Sequence, residues 1–232
     1  MALTSTNKID LTHLLDPDNI SLYPDDPAFK CCPIATVSND SYSVHSLSLG
    51  SHTGTHIDAP SHFIEGGITI DEVPLEQTTD RKAIAVDLTY KKGGEKITWE
   101  EDLADKLAAL SVNLEGLVLL LYTGWSKYWG TPTYTESYPF LDRRAAEQLL
   151  FRGIKTIGMD TLSPDQIDGP EGYGVHNSIL GAGGLLVENL NNLSALVEGE
   201  TVAEVMVSFV PLSLKGCDGS PVRAFGWKVW KD

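Results

Sequence analysis

Residues Ser51 to Phe63 read SHTGTHIDAPSHF, and this stretch limits the backbone more tightly than any other part of the chain. It holds three of the six histidines, His52, His56 and His62, with Asp58 between them. The spacing of His52 and His56 matches the histidine pair of a metalloprotease helix. That helix needs a glutamate directly after its first histidine, and Thr53 stands there. Gly54 and Thr55 are poor helix formers, and Pro60 stops a helix soon after. Extended backbone is the better reading, and it sets positions 52, 54, 56, 58, 60 and 62 on one face. A straight strand from His52 to Asp58 would span roughly 20 Å at about 3.3 Å per residue. Ligands of one ion lie only about 2 to 2.3 Å from it. The segment must therefore curl if these side chains are to share an ion, and Gly54 and Pro60 are the expected bends.

The rest of the chain supplies strands and a few helices to carry this loop. With 232 residues, 42% of them apolar, the chain is expected to form one domain over residues 1–232, with a core that needs no disulfides. Ile9 to Leu15 reads as a first strand, with His13 a structural residue. Tyr42 to Leu49 alternates apolar and polar residues, which suits a strand with one buried face. Ala83 to Leu88 is the next strand. Thr98 and Glu101 have capping-box spacing ahead of Leu103, Leu107 and Leu110. The continuous run Gly116 to Tyr122, GLVLLLY, predicts a strand buried on both faces. Asp142 caps a helix bearing Ala145 and Leu149, and Gly153 ends it. Further strands are expected at Ile154 to Met159, Leu185 to Glu188, Val202 to Val210 and Val222 to Trp230. The polar stretch Ser163 to Val175 reads as a loop delivering His176.

A net charge of -15 argues against a nucleic-acid partner, which needs a basic surface, and against an anionic membrane. The longest apolar run, Leu117 to Leu121, is too short to span a bilayer. Cys31, Cys32 and Cys217 are odd in number, and the first two are adjacent, which suits a reducing compartment. MALTSTNKIDLTH has neither the basic nor the apolar region of a signal peptide. The expectation is a soluble, cytoplasmic protein.

Imidazole and carboxylate are ligands that zinc and manganese both accept. A divalent ion held by them can activate water for attack on a carbonyl, given a neighbouring group that moves protons. His62, last on the ligand face, is the candidate for that role. His176 and Glu188 are candidates to complete the site from the other half of the chain. Tyr23, in Tyr23-Pro24-Asp25-Asp26-Pro27, either closes a surface turn or lines a pocket. Trp125, after Thr123-Gly124, either forms a pocket wall or packs within its loop.

The whole pattern resembles the metal-dependent cyclase family that includes bacterial-type kynurenine formamidases and isatin hydrolases. His52 to His62 fits H-x-G-T-H-x-D-x-P-x-H throughout. Ile9-Asp10-Leu11-Thr12-His13, the Tyr23 to Pro27 loop, Thr123-Gly124-Trp125, Gly158-Met159-Asp160-Thr161, Pro211-Leu212 and Gly216 to Arg223 also look like family landmarks. The resemblance implies that His52, His56 and Asp58 bind a first metal, and that Asp58, His176 and Glu188 complete a second site. It implies His62 as catalytic acid/base, with Glu188 counted both as ligand and as catalytic carboxylate. Tyr23 and Trp125 are the substrate-binding candidates. The implied fold is a mixed α/β single domain around a β-barrel-like sheet with a few flanking helices, assembled as a homodimer or larger homo-oligomer. Asp25 stands where the family loop commonly has glycine, and Tyr23 where kynurenine formamidases tend to have a stacking tryptophan. These departures leave the metal chemistry better specified than the substrate.

The expected function is a metal-dependent hydrolase opening a small amide, lactam or ester, using zinc or manganese, one or two per chain. A cyclase or dehydratase of secondary metabolism using the same site is the alternative among enzymes. A metal-holding binding protein is the alternative outside them, and His62 argues against it.

Overall fold

The computed structural model describes residues 8–228. The described strands are β1 (Ile9–Asp10), β2 (Lys30–Ala35), β3 (Val44–Ser48), β4 (His56–Asp58), β5 (Arg81–Asp87) and β6 (Lys96–Ile97), followed by β7 (Val118–Tyr122), β8 (Phe140–Leu141), β9 (Thr156–Met159), β10 (Leu185–Glu188), β11 (Val202–Pro211) and β12 (Gly219–Lys228). Seven of them close a ring in the order β12-β11-β5-β7-β9-β10-β4, with β4 pairing back onto β12. The mixed α/β fold around a barrel-like sheet is the expected one.

The run GLVLLLY supplies β7, which lies between β5 and β9 in this ring. β7 lies parallel to both β5 and β9, and β9 parallel to β10. Parallel neighbours need crossover connections, and here these carry helices over the outer face. Val118 and Leu120 turn inward to Ala83, Ala85, Val187 and Phe209. Leu119 and Leu121 turn outward to Ala145, Leu149 and Ile179 of the covering helices Arg143–Phe151 and Gly174–Gly181. Period-two alternation thus splits one apolar strand between two cores, which is why all its faces are buried.

The helix signals act as read, with one refinement. The Thr98 hydroxyl accepts the Glu101 N–H at 3.3 Å, but the carboxylate that returns to the Thr98 N–H is Asp102, at 2.7 Å. The helix accordingly opens with a wide turn at Trp99–Leu103 before the α-helical Ala104–Ala108. Asp142 accepts the Arg144 N–H, and Gly153 leaves the next helix at φ 83°.

Several expectations are corrected. The first strand is only Ile9–Asp10, followed by a single bridge from Thr12 to Leu190. The loop that delivers His176 ends at Tyr173, two residues earlier than expected, because Asp165 accepts the Val175 and His176 N–H groups at the start of the helix Gly174–Gly181. β3 has no buried face. Among the described residues it pairs with β2 alone, as a hairpin that leaves Ile34 67% and Leu47 60% exposed, so its apolar residues are left uncovered there. The last strand begins at Gly219, and the part of the expected Val222 to Trp230 beyond Lys228 lies outside the described residues. Among the described residues no helix is long and apolar enough to cross a membrane.

Candidate active site

The motif loop curls where glycine and proline permit. Gly54 takes φ 71°, a left-handed conformation that side chains disfavour, and a Cβ there would lie 2.3 Å from Leu15 Cδ2. Pro60 opens the tight turn Pro60–His62. Between the two bends, His56, Ile57 and Asp58 form β4. Side chains two apart share a face of a strand, so His56 and Asp58 point together into the site while Ile57 enters the core.

Strand register brings the remaining groups. β4 is flanked by β10 and β12, with Glu188 opposite His56 on one side and Gly219 opposite Asp58 on the other. Asp58 is fully buried and central: its Oδ1 lies 2.8 Å from His52 Nδ1 and 3.3 Å from His56 Nε2, and its Oδ2 lies 3.6 Å from His176 Nε2. Glu188 lies 3.3 Å from both His56 Nε2 and His176 Nε2. His52, His56, Asp58, His176 and Glu188 are thus gathered in one place, across more than a hundred residues of sequence. Ligand atoms of His52, His56 and Asp58 fall within 4.8 Å of one another, as do those of Asp58, His62 and His176.

Outer partners fix the rings. The His56 Nδ1–H donates to the Gly54 carbonyl at 2.9 Å, leaving Nε2 for the carboxylates. The same carbonyl accepts the Asn189 Nδ2–H at 2.9 Å, and Asn189 is in turn held by the Tyr134 hydroxyl at 2.8 Å. His176 Nδ1 meets Asp165 Oδ2 at 2.6 Å. His52 Nε2 and His62 Nδ1 each lie 2.9 Å from Asp218 Oδ2. Such second partners orient ligand imidazoles and set their tautomers. Neither Asp165 nor Asp218 stood out in the sequence: each is a single aspartate in a turn, and only register shows what it touches.

The donor set fits a divalent cation. Asp58 Oδ2 and Glu188 Oε1 are buried carboxylate oxygens that accept no hydrogen bond. Buried polar atoms without partners are rare, and two on facing carboxylates are what a bound cation satisfies. No ligand is sulfur, so hard and borderline metals are suited.

The cluster also holds protons firmly. Burial opposes protonation of His52, but hydrogen bonds to Asp218 and Asp58 outweigh it and push its pKa up to about 9. Burial likewise opposes His56, whose bonds to Asp58 and Glu188 raise it to about 10. Below those values the rings carry the protons that a metal must displace. Apparent metal affinity should therefore rise with pH through the range 6.5 to 8.5, by up to about tenfold per pH unit for each proton released. Chelator-competition titrations at several pH values measure this, and an affinity independent of pH would contradict it.

A cavity of about 300 Å³ opens onto the cluster, lined by Tyr23, Asp25, Asp26, Phe63, Leu162, Tyr173 and the site histidines, with no lysine or arginine among its lining residues. Tyr23 reaches it, and its hydroxyl lies 3.3 Å from that of Tyr173. Asp25 takes φ 69°, a left-handed conformation that glycine adopts more readily than aspartate. Trp125 does not line the cavity. Its backbone N–H donates to Asp160 and its indole N–H to the Tyr134 carbonyl at 3.1 Å, which folds the ring back among Tyr134, Tyr138 and Phe140. Phe63 and Tyr173 supply the aromatic wall instead. His13 stacks on Trp129 with ring centroids 4.1 Å apart, and its Nε2 is buried without a hydrogen-bond partner among the described residues.

A model of the Cyclase family matches residues 9–166. A protein of Methanocaldococcus jannaschii, itself uncharacterised, is 32% identical over 205 residues, covering 87% of this chain and 90% of that protein. A kynurenine formamidase of Bacillus cereus is 31% identical over 219 residues, covering 93% of this chain and 95% of that enzyme. Isatin hydrolase A from Labrenzia aggregata, solved with benzyl benzoate bound, superposes with a TM-score of 0.85 at 27% identity, over 96% of this chain and 94% of that one. With the family model matching well over half the chain and the motif loop folded around one buried aspartate, the chain belongs to the Cyclase family.

Proposed function

We propose that this protein opens a small aromatic amide or lactam at the carboxylate–histidine cluster. It is a metal-dependent hydrolase acting on C–N bonds other than peptide bonds. The observation that carries the finer reading is an aromatic-walled cavity lined by His52, His56, His176 and Glu188, at a cluster where Asp58 and Glu188 each keep one buried oxygen without a hydrogen-bond partner. His52, His56 and Asp58 hold one divalent ion, and Asp58, His176 and Glu188 hold a second where two are present. Zinc and manganese both suit this nitrogen and oxygen set. When bound, the metal supplies Lewis-acid activation of water and of the carbonyl.

The residues of the chain do the rest. Tyr23, Phe63 and Tyr173 hold the flat face of the substrate and keep bulk water from the reacting carbonyl. His62 lines the cavity, with one ring nitrogen tied to Asp218 and the other left to carry a proton from water to the departing nitrogen. Glu188 orients the ligand face from the strand opposite His56. All three cysteines are free, which supports a cytoplasmic setting. The exposed apolar hairpin β2–β3 supports the homodimer or larger homo-oligomer.

Protein purified without added metal should contain at least about 0.5 equivalents of a transition metal per chain. Tested on N-formylkynurenine, isatin and simple lactones, it should hydrolyse one of the first two fastest. Absence of metal, with no turnover rescued by zinc or manganese, would remove the reading. Metal without hydrolysis of any of the three would favour the cyclase or dehydratase alternative.

A further inference from the structure

Asp218 lies in the turn before β12, beside Gly219, which pairs with Asp58 across the sheet. A Cβ at Gly219 would sit 2.8 Å from His52 Cε1 and 2.8 Å from the Ile57 carbonyl oxygen, so the glycine lets this turn pass close to the His52 ring. Asp218 Oδ2 is then 2.9 Å from His52 Nε2 and 2.9 Å from His62 Nδ1, while its Oδ1 accepts the Ser51 hydroxyl at 2.9 Å. The two imidazoles lie side by side, centroids 4.0 Å apart and 32° from parallel. Among the described residues, the ion-pair partners of Asp218 are these two histidines alone, although its side chain is 41% exposed.

Each of the three ligand histidines has an outer partner: the Gly54 carbonyl, with Asn189 at 3.4 Å, for His56, Asp165 for His176 and Asp218 for His52. Asp218 alone serves two rings, one a ligand and the other the acid/base. An ionised carboxylate oxygen only accepts hydrogen bonds, so both facing nitrogens must carry hydrogen. His52 Nδ1 faces the equally ionised Asp58 at 2.8 Å and carries hydrogen too until a cation displaces it, with Nε2–H kept on Asp218, whereas His62 keeps Nδ1–H on Asp218 and presents Nε2 toward the cavity. We propose that Asp218 is a positioning residue that sets the tautomers of His52 and His62 together, joining the proton carrier to the metal ligand through one oxygen. This rests on the hydrolase reading for its effect on turnover, but not for the tautomers themselves.

Asparagine is the discriminating replacement. Its volume matches, but its amide can turn an N–H₂ toward His62 and force the proton onto Nε2. A role confined to packing predicts that Asp218→Asn is mild and Asp218→Ala severe. A role in tautomer selection predicts that both lower kcat by about 100-fold with KM changed less than about twofold, the size expected for outer partners of metal-site histidines. It also predicts partial recovery in Asp218→Glu, and little further loss when Asp218→Ala is added to His62→Ala. Independently of turnover, nitrogen-15 spectra of the histidine rings in the zinc-loaded full chain should show His62 protonated at Nδ1, moving to Nε2 in Asp218→Asn. The proposal is overturned by wild-type His62 protonated at Nε2. It is equally overturned by Asp218→Asn keeping kcat within about threefold, or losing a metal equivalent with the His62 tautomer unchanged. A wild type that hydrolyses nothing would overturn the hydrolase reading, while the spectra would still decide the tautomers.

Discussion

Asp58→Asn protein should purify without stoichiometric metal and show no measurable hydrolysis. Asp58 is fully buried, and both of its oxygens face imidazoles: His52 and His56 on one side, His176 on the other. Burial by itself would raise its pKa, but the three histidines outweigh it and hold the carboxyl well below the usual carboxylate range, so it is the anion that the cluster is built around. Asparagine keeps the shape and removes the charge. Taking one partner from a buried ionic cluster costs on the order of 3–5 kcal/mol, about 10²- to 10⁴-fold in metal affinity at about 1.4 kcal/mol per decade. Elemental analysis and chelator competition measure the loss. Wild-type metal content in the variant would take Asp58 out of the metal site.

His62→Ala should separate the two halves of the chemistry. The ring lines the cavity and is not one of the group His52, His56 and Asp58, although its ligand atom also falls within 4.8 Å of those of Asp58 and His176. Its loss should leave metal affinity within about threefold while kcat falls by about 10²- to 10⁴-fold, the usual range for a positioned acid/base. Steady-state kinetics beside a metal titration read both numbers on one preparation. Unchanged turnover would remove His62 from the mechanism, and parallel loss of metal would make it a ligand.

Both variants fall in the stretch that was most legible in the sequence, for a local reason. Gly54 and Pro60 bend the backbone by their own conformational limits, so the curl can be inferred without knowing what surrounds it. GLVLLLY was legible for a similar reason, since a strand apolar at every position has to be covered on both faces. Tertiary register is different. Asp218 and Asp165 gain their roles only because β12 pairs with β4 and because a helix starts under Asp165. Trp125 and Tyr173 are both aromatics in polar, glycine-containing loops. Which of them faces the cavity is decided by Asp160, which captures the Trp125 amide from thirty-five residues away. The alternation of Tyr42 to Leu49 predicts a buried face, but β3 pairs with β2 alone and each of its residues is exposed among the described residues.

The three-residue strand β4 carries two of the proposed metal ligands, His56 and Asp58, and also joins β10 to β12. The barrel is in effect a hoop, and its clasp carries two of the ligands proposed for the metal. A cation that binds only the native arrangement stabilises it by mass action, and here that stabilisation falls on the one short stave bonded on both edges to strands from the far end of the chain. Metal supply then governs more than turnover. It decides how firmly the hoop stays fastened, so a cell short of the ion would hold a protein that is idle and also the more easily opened along this seam.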